Sequence, residues 1–477
     1  MKHIIRFGTL ADKKDLIALS DTYDMIVVNA NAIAHSGNSI ANFLLRNICV
    51  KGDKQYYIDP ITYAFQDHLE LLHSKPKKQT DQNGRRVVVD REDMLKQPIK
   101  PPFRKLIDEF GPILEGIRVN KPLQADMFLY HLEESQLTDF CRRVLDFQKN
   151  TVRNVLKSDE IGRYLEYDGV ETDKGMNPAF LIAPYFYMDI DNYDEWLAVN
   201  TKLYGMCRSS EAENIEIRME IFVDRRLLQH SNLLDKIANE CLKTGCSSFI
   251  LWIDGFEETL ATETEIDNLL FFLRKFVGKS VYSAYGGFFA ILLCHNEIGL
   301  LNGVSHGLEY GEDRRGYPVG GGQPTSKYYY PPLHRRLKYL ESFDLLERCG
   351  YLDTNTYMWG ESYAYLKEIC RCKICKELMP EYMKGFDKYR STDMYEVRYA
   401  GHIQRRTMAT SDEKKRCRYH YMYCKKMEFN YIKKRELRTI LQDLVNTEKK
   451  YEGLLPAKEK ALAWICSLQK EGENGTM

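Results

Sequence analysis

Between Ala179 and Tyr310 the chain alternates short apolar runs with amphipathic stretches at helical spacing, and this alternation restricts the fold more than any other feature. Ala179–Met188 (AFLIAPYFYM) reads as a strand, followed by a helix over Asp194–Tyr204. Ile215–Val223, Ser247–Ile253, Val281–Leu293 and Val304–Tyr310 carry further strands, with helices predicted over Leu233–Lys243 and Glu265–Val277. Strands that alternate with helices join by right-handed crossovers into a parallel sheet. Polar residues recur at or just after the strand ends: Asp59, Asp189, Asp224, Asp254, His295 and Glu309. In an α/β chain folded as a (β/α)8 TIM barrel those ends share one face, where side chains from distant segments converge. A doubly wound open sheet is the competing arrangement, but no G-x-G-x-x-G opens a helix here.

At 477 residues the chain exceeds one ordinary core, and its organisation reads as three parts. Residues 1–50 form an N-terminal segment in which Asp24–Ala34 (DMIVVNANAIA) is a buried strand or short helix. Residues 51–345 form the barrel, beginning with the aromatic strand Gln55–Gln66, which an Asp-Pro turn interrupts. A polar, proline-bearing insertion occupies residues 74–102, and Ser135–Asn154 has helical spacing. Arg315–Pro324 (RGYPVGGGQP) is a glycine-rich loop that lacks the Lys-Ser/Thr ending of a P-loop. Residues 346–477 form a helical C-terminal region with basic runs at Lys414–Arg418 and Lys433–Arg438. Such runs are usually solvated helix faces, and beside a barrel mouth they can also contact phosphates.

Within that last part Cys370, Cys372 and Cys375 place three thiols within six residues. With His420 or His402 they supply a Cys3His set for one structural Zn2+, closed because protein fills all four positions. The other ten cysteines show no comparable spacing. With no signal-peptide core and no apolar run of about 20 residues, the expectation is a cytoplasmic protein with reduced thiols and no membrane partner. The 68 basic and 68 acidic residues cancel, so charge alone does not imply a nucleic-acid partner, although a local patch suffices for one. Aromatic content of 12% supplies either a tyrosine-rich core or platforms for bases.

A barrel followed by Cys370-x-Cys372-x-x-Cys375 and a histidine-bearing helix resembles the tRNA-guanine transglycosylase superfamily. The resemblance implies exchange of a guanine for a 7-deazaguanine base in DNA or tRNA, through a covalent carboxylate–nucleic-acid intermediate. His420, in RYHYMYCKKMEF, looks like the family's last zinc ligand better than His402 does, although His402 lies nearer the usual spacing. Asp59, in IDPITYAFQ, resembles the family's first catalytic aspartate, with Phe65-Gln66 repeating the motif's ending but no double glycine. The family's nucleophilic aspartate has no counterpart in Gly303–Arg315, where Glu309 is the nearest carboxylate. On this reading Glu309 is the nucleophile and Asp59 the acid/base, since an ionised carboxylate can attack a sugar carbon.

Asp254 recognises a base edge or caps the following helix. His306 and Glu309 share a predicted strand whose glycines allow a flat ring to approach. Tyr185 and Tyr310 stack on a base or fill the core, and His295 is a helix N-terminus. The partners expected are nucleic acid and a modified purine base, with a homodimer allowed and no organic cofactor implied. A catalytically altered nucleic-acid-binding or phage-defence relative is the alternative, and a barrel hydrolase of nucleosides is a third reading.

Overall fold

The computed structural model describes residues 1–76, 90–156, 176–210, 215–308, 311–317, 326–352, 360–390, 393–399, 402–408, 410–454 and 462–474. Eight parallel strands form one sheet: β1 (Lys2–Phe7), β2 (Met25–Asn29), β3 (Gln55–Asp59), β4 (Leu181–Ile182), β5 (Ile217–Asp224), β6 (Ser248–Asp254), β7 (Ser280–Ser283) and β8 (Gly303–Gly307). Their order is β3-β2-β1-β8-β7-β6-β5-β4, and the edge strands β3 and β4 come together. Ala179 N donates to Tyr56 O at 2.7 Å, and Gln66 clamps the Tyr187 backbone through both its amide atoms at 2.8 Å. The result is a nearly closed TIM-like barrel rather than an open sheet. Phe65-Gln66 therefore has a structural task, because Gln66 joins the loop after β3 to the segment after β4.

The barrel starts earlier than the sequence reading placed it. β1 and β2 lie within residues 1–50, so that stretch is not a separate N-terminal segment. Both strands are largely apolar (IIRF, MIVV), Arg6 apart, and fill the gap between β3 and β8. Asp24–Ala34 divides into β2 and the start of the helix Ala30–Leu44. Only two residues of Ala179–Met188 enter the ladder as β4, with a further bridge at Met188–Val223. Val281–Leu293 is β7 followed by the helix Phe288–Leu293. The predicted helices appear as Glu134–Leu156, Tyr193–Ser210, Ser231–Lys243 and Glu263–Arg274. Of the 74–102 insertion, residues 77–89 lie outside the described set, while its base is tied by the His73–Ile99 bridge.

Residues paired across parallel strands point to the same face. One face carries Ile4, Arg6, Val27, Tyr57, Asp59, Glu220, Phe222 and Trp252 into the barrel. The opposite face of β1–β3 carries Ile5, Phe7, Ile26, Val28, Tyr56 and Ile58 into an outer core that also contains Cys370, Cys372 and Cys375. The C-terminal region is therefore packed on the barrel. A short β9–β10 hairpin (Tyr328–Tyr330, Arg335–Leu337) precedes it, and among its described elements are the helix Lys373–Leu378, the strand pair β11–β12 (Asp393–Tyr399, His402–Met408) and helices Ser411–Lys434, Leu437–Lys450 and Leu462–Asn474. Thr410 caps the Ser411–Lys434 helix by accepting from Glu413 N at 3.1 Å. No described helix is long and apolar enough to cross a membrane.

Candidate functional site

Charge inside the barrel is concentrated at the C-terminal strand ends. Arg6, at the end of β1, donates to Asn29 Oδ1 at 2.9 Å, to Asp59 Oδ2 at 3.1 Å and to Ala284 O at 3.1 Å. Its guanidinium also lies 4.2 Å over the Tyr285 ring. Asp59 ends β3 and is 1% exposed, its Oδ1 accepting from Tyr185 Oη at 2.7 Å and from Ile61 N at 3.0 Å. Ile61 has φ of 50°, a left-handed conformation that a β-branched residue rarely adopts and that tends to persist at functional sites.

Glu220 projects from β5 beside this group. It is 1% exposed, and neither carboxyl oxygen has a hydrogen-bond partner. Burial, reinforced by the negative charge of Asp59, raises its pKa well above the ordinary value despite Arg6. The interior thus holds two carboxyl groups in different environments, Asp59 paired with Arg6 and Glu220 pushed toward its neutral form, the contrast from which acid/base assignments are made.

Aromatic rings cover this centre. Phe222 and Trp252 stack at 4.0 Å, and Tyr63 meets both edge-on at 5.0 and 5.2 Å. The segment Gly311–Tyr317 lies across them: Trp252 Nε1 donates to Arg314 O at 3.1 Å, and Tyr317 Oη donates to Tyr63 O at 2.7 Å. A side chain at Gly316 would overlap the Phe222 ring, so only glycine allows that approach.

The structure gathers some of the predicted residues and disperses others. Asp59 and Tyr185 meet, with Tyr185 bonded to Asp59 and fully buried rather than presented as a stacking surface. Asp254 accepts Gly316 N at 2.7 Å, so it pins the covering segment instead of capping a helix. His306 points away from the interior, because its Nε2 lies 2.7 Å from His3 Nε2 and its ring meets Tyr421 of the Ser411–Lys434 helix. Alternation along β8 sends it to the outer face, one residue out of step with Ser305 and Gly307. Glu309 and Tyr310 lie outside the described residues, as do Gly320–Gly322. His295 accepts Glu297 N at 3.2 Å and bonds Arg435 O at 2.8 Å, tying two loops together.

Sequence reasoning missed Arg6, Glu220 and Tyr63. Glu220 was legible in principle: in IRMEIFVD the polar residues Arg218, Glu220 and Asp224 share one parity, as the inward face of a barrel strand would.

The thiols form a second centre on the outside of the barrel. Cys370, Cys372, Cys375 and His420 are all buried, and their ligand atoms lie within 4.8 Å of one another, a cluster that could hold a metal ion. Sulfur-to-Nδ1 distances from His420 are 3.9, 3.3 and 3.4 Å for Cys370, Cys372 and Cys375. His420 Nε2 lies 2.7 Å from Tyr329 O, which fixes the proton there and turns the Nδ1 lone pair to the sulfurs. The Cys370 and Cys372 sulfurs accept Cys372 N and Cys375 N at 3.4 Å, a local turn that the C-x-C-x-x-C spacing creates. This donor set suits tetrahedral zinc with no open position. His402 lies on β12, paired with Tyr399. Tyrosines line the cluster: Tyr328 stacks on His420 at 4.4 Å, and Tyr365 Oη lies 3.3 Å from Cys375 Sγ.

Between the two centres a buried ionic group joins the C-terminal helix to the covering segment. Lys425 is fully buried and pairs with Glu312 at 2.7 Å and Glu428 at 2.9 Å. Burial alone would raise Glu428, but Lys425 and His334 outweigh it and hold it at about 2. Glu312, His334 and Tyr421 border a cavity of about 670 Å3, whose rim also carries Lys327, Arg335 and Arg336. Arg418, from one predicted basic run, is instead 3.1 Å from Asp15. No family model matches the chain, and no curated protein matches it.

Proposed function

We propose that the protein is a divergent transglycosylase-like enzyme that exchanges a guanine for a 7-deazaguanine base in DNA or tRNA. The observation that supports this most is the carboxyl pair on the inner face of the barrel, Asp59 held by Arg6 and Tyr185 beside buried Glu220, whose pKa is raised. Displacement of a base at a sugar carbon needs a carboxylate to form the new C–O bond and an acid to protonate the departing base. Here Asp59 takes the part of the nucleophile and Glu220 that of the acid; the family resemblance implies the competing assignment, with Glu309 as nucleophile and Asp59 as acid/base. Phe222 and Trp252, buried under Tyr63 and the covering segment, would become an aromatic wall of the kind on which bases stack only when that segment moves. The Cys3His set has a structural role in this reading, holding the C-terminal region against the barrel through zinc.

One observation favours the second reading, a catalytically altered relative that binds nucleic acid. The strand-end face is covered by Tyr63, Tyr317 and Gly311–Tyr317, so base exchange requires that segment to move. Nucleoside mass spectrometry of DNA and tRNA incubated with the protein and a 7-deazaguanine base separates the two. Incorporation is expected, with Asp59→Asn abolishing it and Glu220→Gln lowering it about 100-fold, the size of a general-acid contribution. Loss in Glu309→Gln alone would transfer the nucleophile to that residue. Absence of incorporation from a folded, metal-loaded protein rejects base exchange and leaves the binding reading.

A further inference from the structure

Cys424, one of the ten cysteines outside the three-thiol motif, lies against the metal cluster. It sits one helical turn beyond His420 on the Ser411–Lys434 helix, so both side chains leave the same face. Its sulfur is 3.6 Å from Cys370 Sγ and 3.7 Å from both ring nitrogens of His420. Two sulfurs bound to one tetrahedral zinc at about 2.3 Å are held about 3.7 Å apart, and a sulfur and a nitrogen slightly closer. Cys424 therefore stands at ligand spacing along the Cys370–His420 edge of the site, and it is 1% exposed.

We propose that Cys424 is a further ligand of this metal centre, able to take the fourth position in place of His420. Cys424 lies outside the mutually close set of Cys370, Cys372, Cys375 and His420, so the exchange requires its sulfur to move toward the remaining thiols, along the helix face it shares with His420. A cleft of about 940 Å3 between the metal turn and the last helices supports the same edge. It is lined by Cys370 and Cys424, together with Arg371, Lys376 and Lys434. Four thiolates around Zn2+ carry a net charge of −2, and these cations line the same cleft as Cys424. An all-thiolate set also favours soft metals more than the Cys3His set does. The assignment is independent of the reaction proposed for the barrel.

The test uses the zinc-loaded full chain, with far-UV circular dichroism to establish that each variant is folded. His420→Ala is expected to retain one zinc through dialysis, and His420→Ala/Cys424→Ser to lose it. In the cobalt-substituted proteins, thiolate-to-metal charge-transfer absorption is expected to be stronger for His420→Ala than for the double variant. Cys424→Ser alone keeps its zinc through His420 but yields it to a competing chelator about 10-fold faster, a size typical of groups that support a ligand set. A folded His420→Ala that loses its zinc overturns the proposal, as does a double variant that binds as well as the single one. If His420→Ala does not fold, the release rate decides, and a rate unchanged by Cys424→Ser overturns it.

Discussion

Arg6 and Asp59 show how much a single buried charge depends on its partner. Their ion pair, 3.1 Å long with side chains 6% and 1% exposed, replaces water that neither group can reach. Arg6→Met leaves Asp59 uncompensated, and urea unfolding should then show a loss of about 3–5 kcal/mol. Glu220 responds in the opposite way. Its folded pKa lies above the ordinary glutamate value of about 4.5, so the stability it contributes is complete below that pH and declines as pH rises. Glu220→Gln mimics the protonated state and is expected to match wild type at about pH 4 and exceed it at about pH 8. A wild-type midpoint equal to the variant's across that range would remove the claim that burial raises the pKa of Glu220. His3 has the reverse sign again. Burial, aided by Lys425, lowers it from 6.5 to about 4, so its contribution is present above pH 6.5 and lost as pH falls toward 4. The loss is about 3 kcal/mol, and acid titration of stability in His3→Asn should lack it.

At the scale of elements, the Ser411–Lys434 helix joins the two centres. His420 faces the thiols, while Lys425, a little over one turn later, reaches Glu312 in the segment that covers the barrel. Tyr329 connects them, its carbonyl 2.7 Å from His420 Nε2 and its hydroxyl accepting from Lys425 at 2.9 Å. Removing the ammonium strands two carboxylates, so Lys425→Met is expected to cost about 3–5 kcal/mol. Adding Glu312→Gln and Glu428→Gln should recover most of that loss, since neutral amides no longer need a counter-charge; denaturant midpoints of the three proteins check this. The covering segment depends on glycine for its own reasons. Gly316→Ala pushes it off Phe222, and acrylamide quenching of Trp252 fluorescence, read with the other tryptophans replaced by phenylalanine, is expected to rise.

For the molecule as a whole, the metal turn and the outer face of the barrel belong to one apolar cluster. Cys370, Cys372 and Cys375 share it with Ile5, Ile26 and Ile58, so the C-terminal region has no core of its own beside them. Metal removal is therefore expected to lower the melting temperature of one cooperative transition, because binding energy at such a site is folding energy for whatever packs on it. Calorimetry of the chelated protein checks this. Two separated transitions, with the barrel melting at its metal-loaded temperature, would show that the C-terminal region unfolds by itself.

The alternation of apolar runs and helices determined a parallel β/α barrel, because each strand followed by a helix permits few connections. Three thiols at C-x-C-x-x-C spacing were equally legible, since a single local turn brings them together without help from the rest of the chain. Residues 1–50 were misread because β1 and β2 are short, and only their neighbours β3 and β8 make them strands. His306 and Glu220 mark the same boundary at the level of side chains. A shift of one residue in a strand changes the face, so sequence could name carboxylates near strand ends but could not say which ones meet. Barrel closure decided that Asp59, Arg6, Tyr185 and Glu220, drawn from four separate stretches, share one water-excluded interior. Burial there, a property of the packed molecule, is what raises the pKa of Glu220.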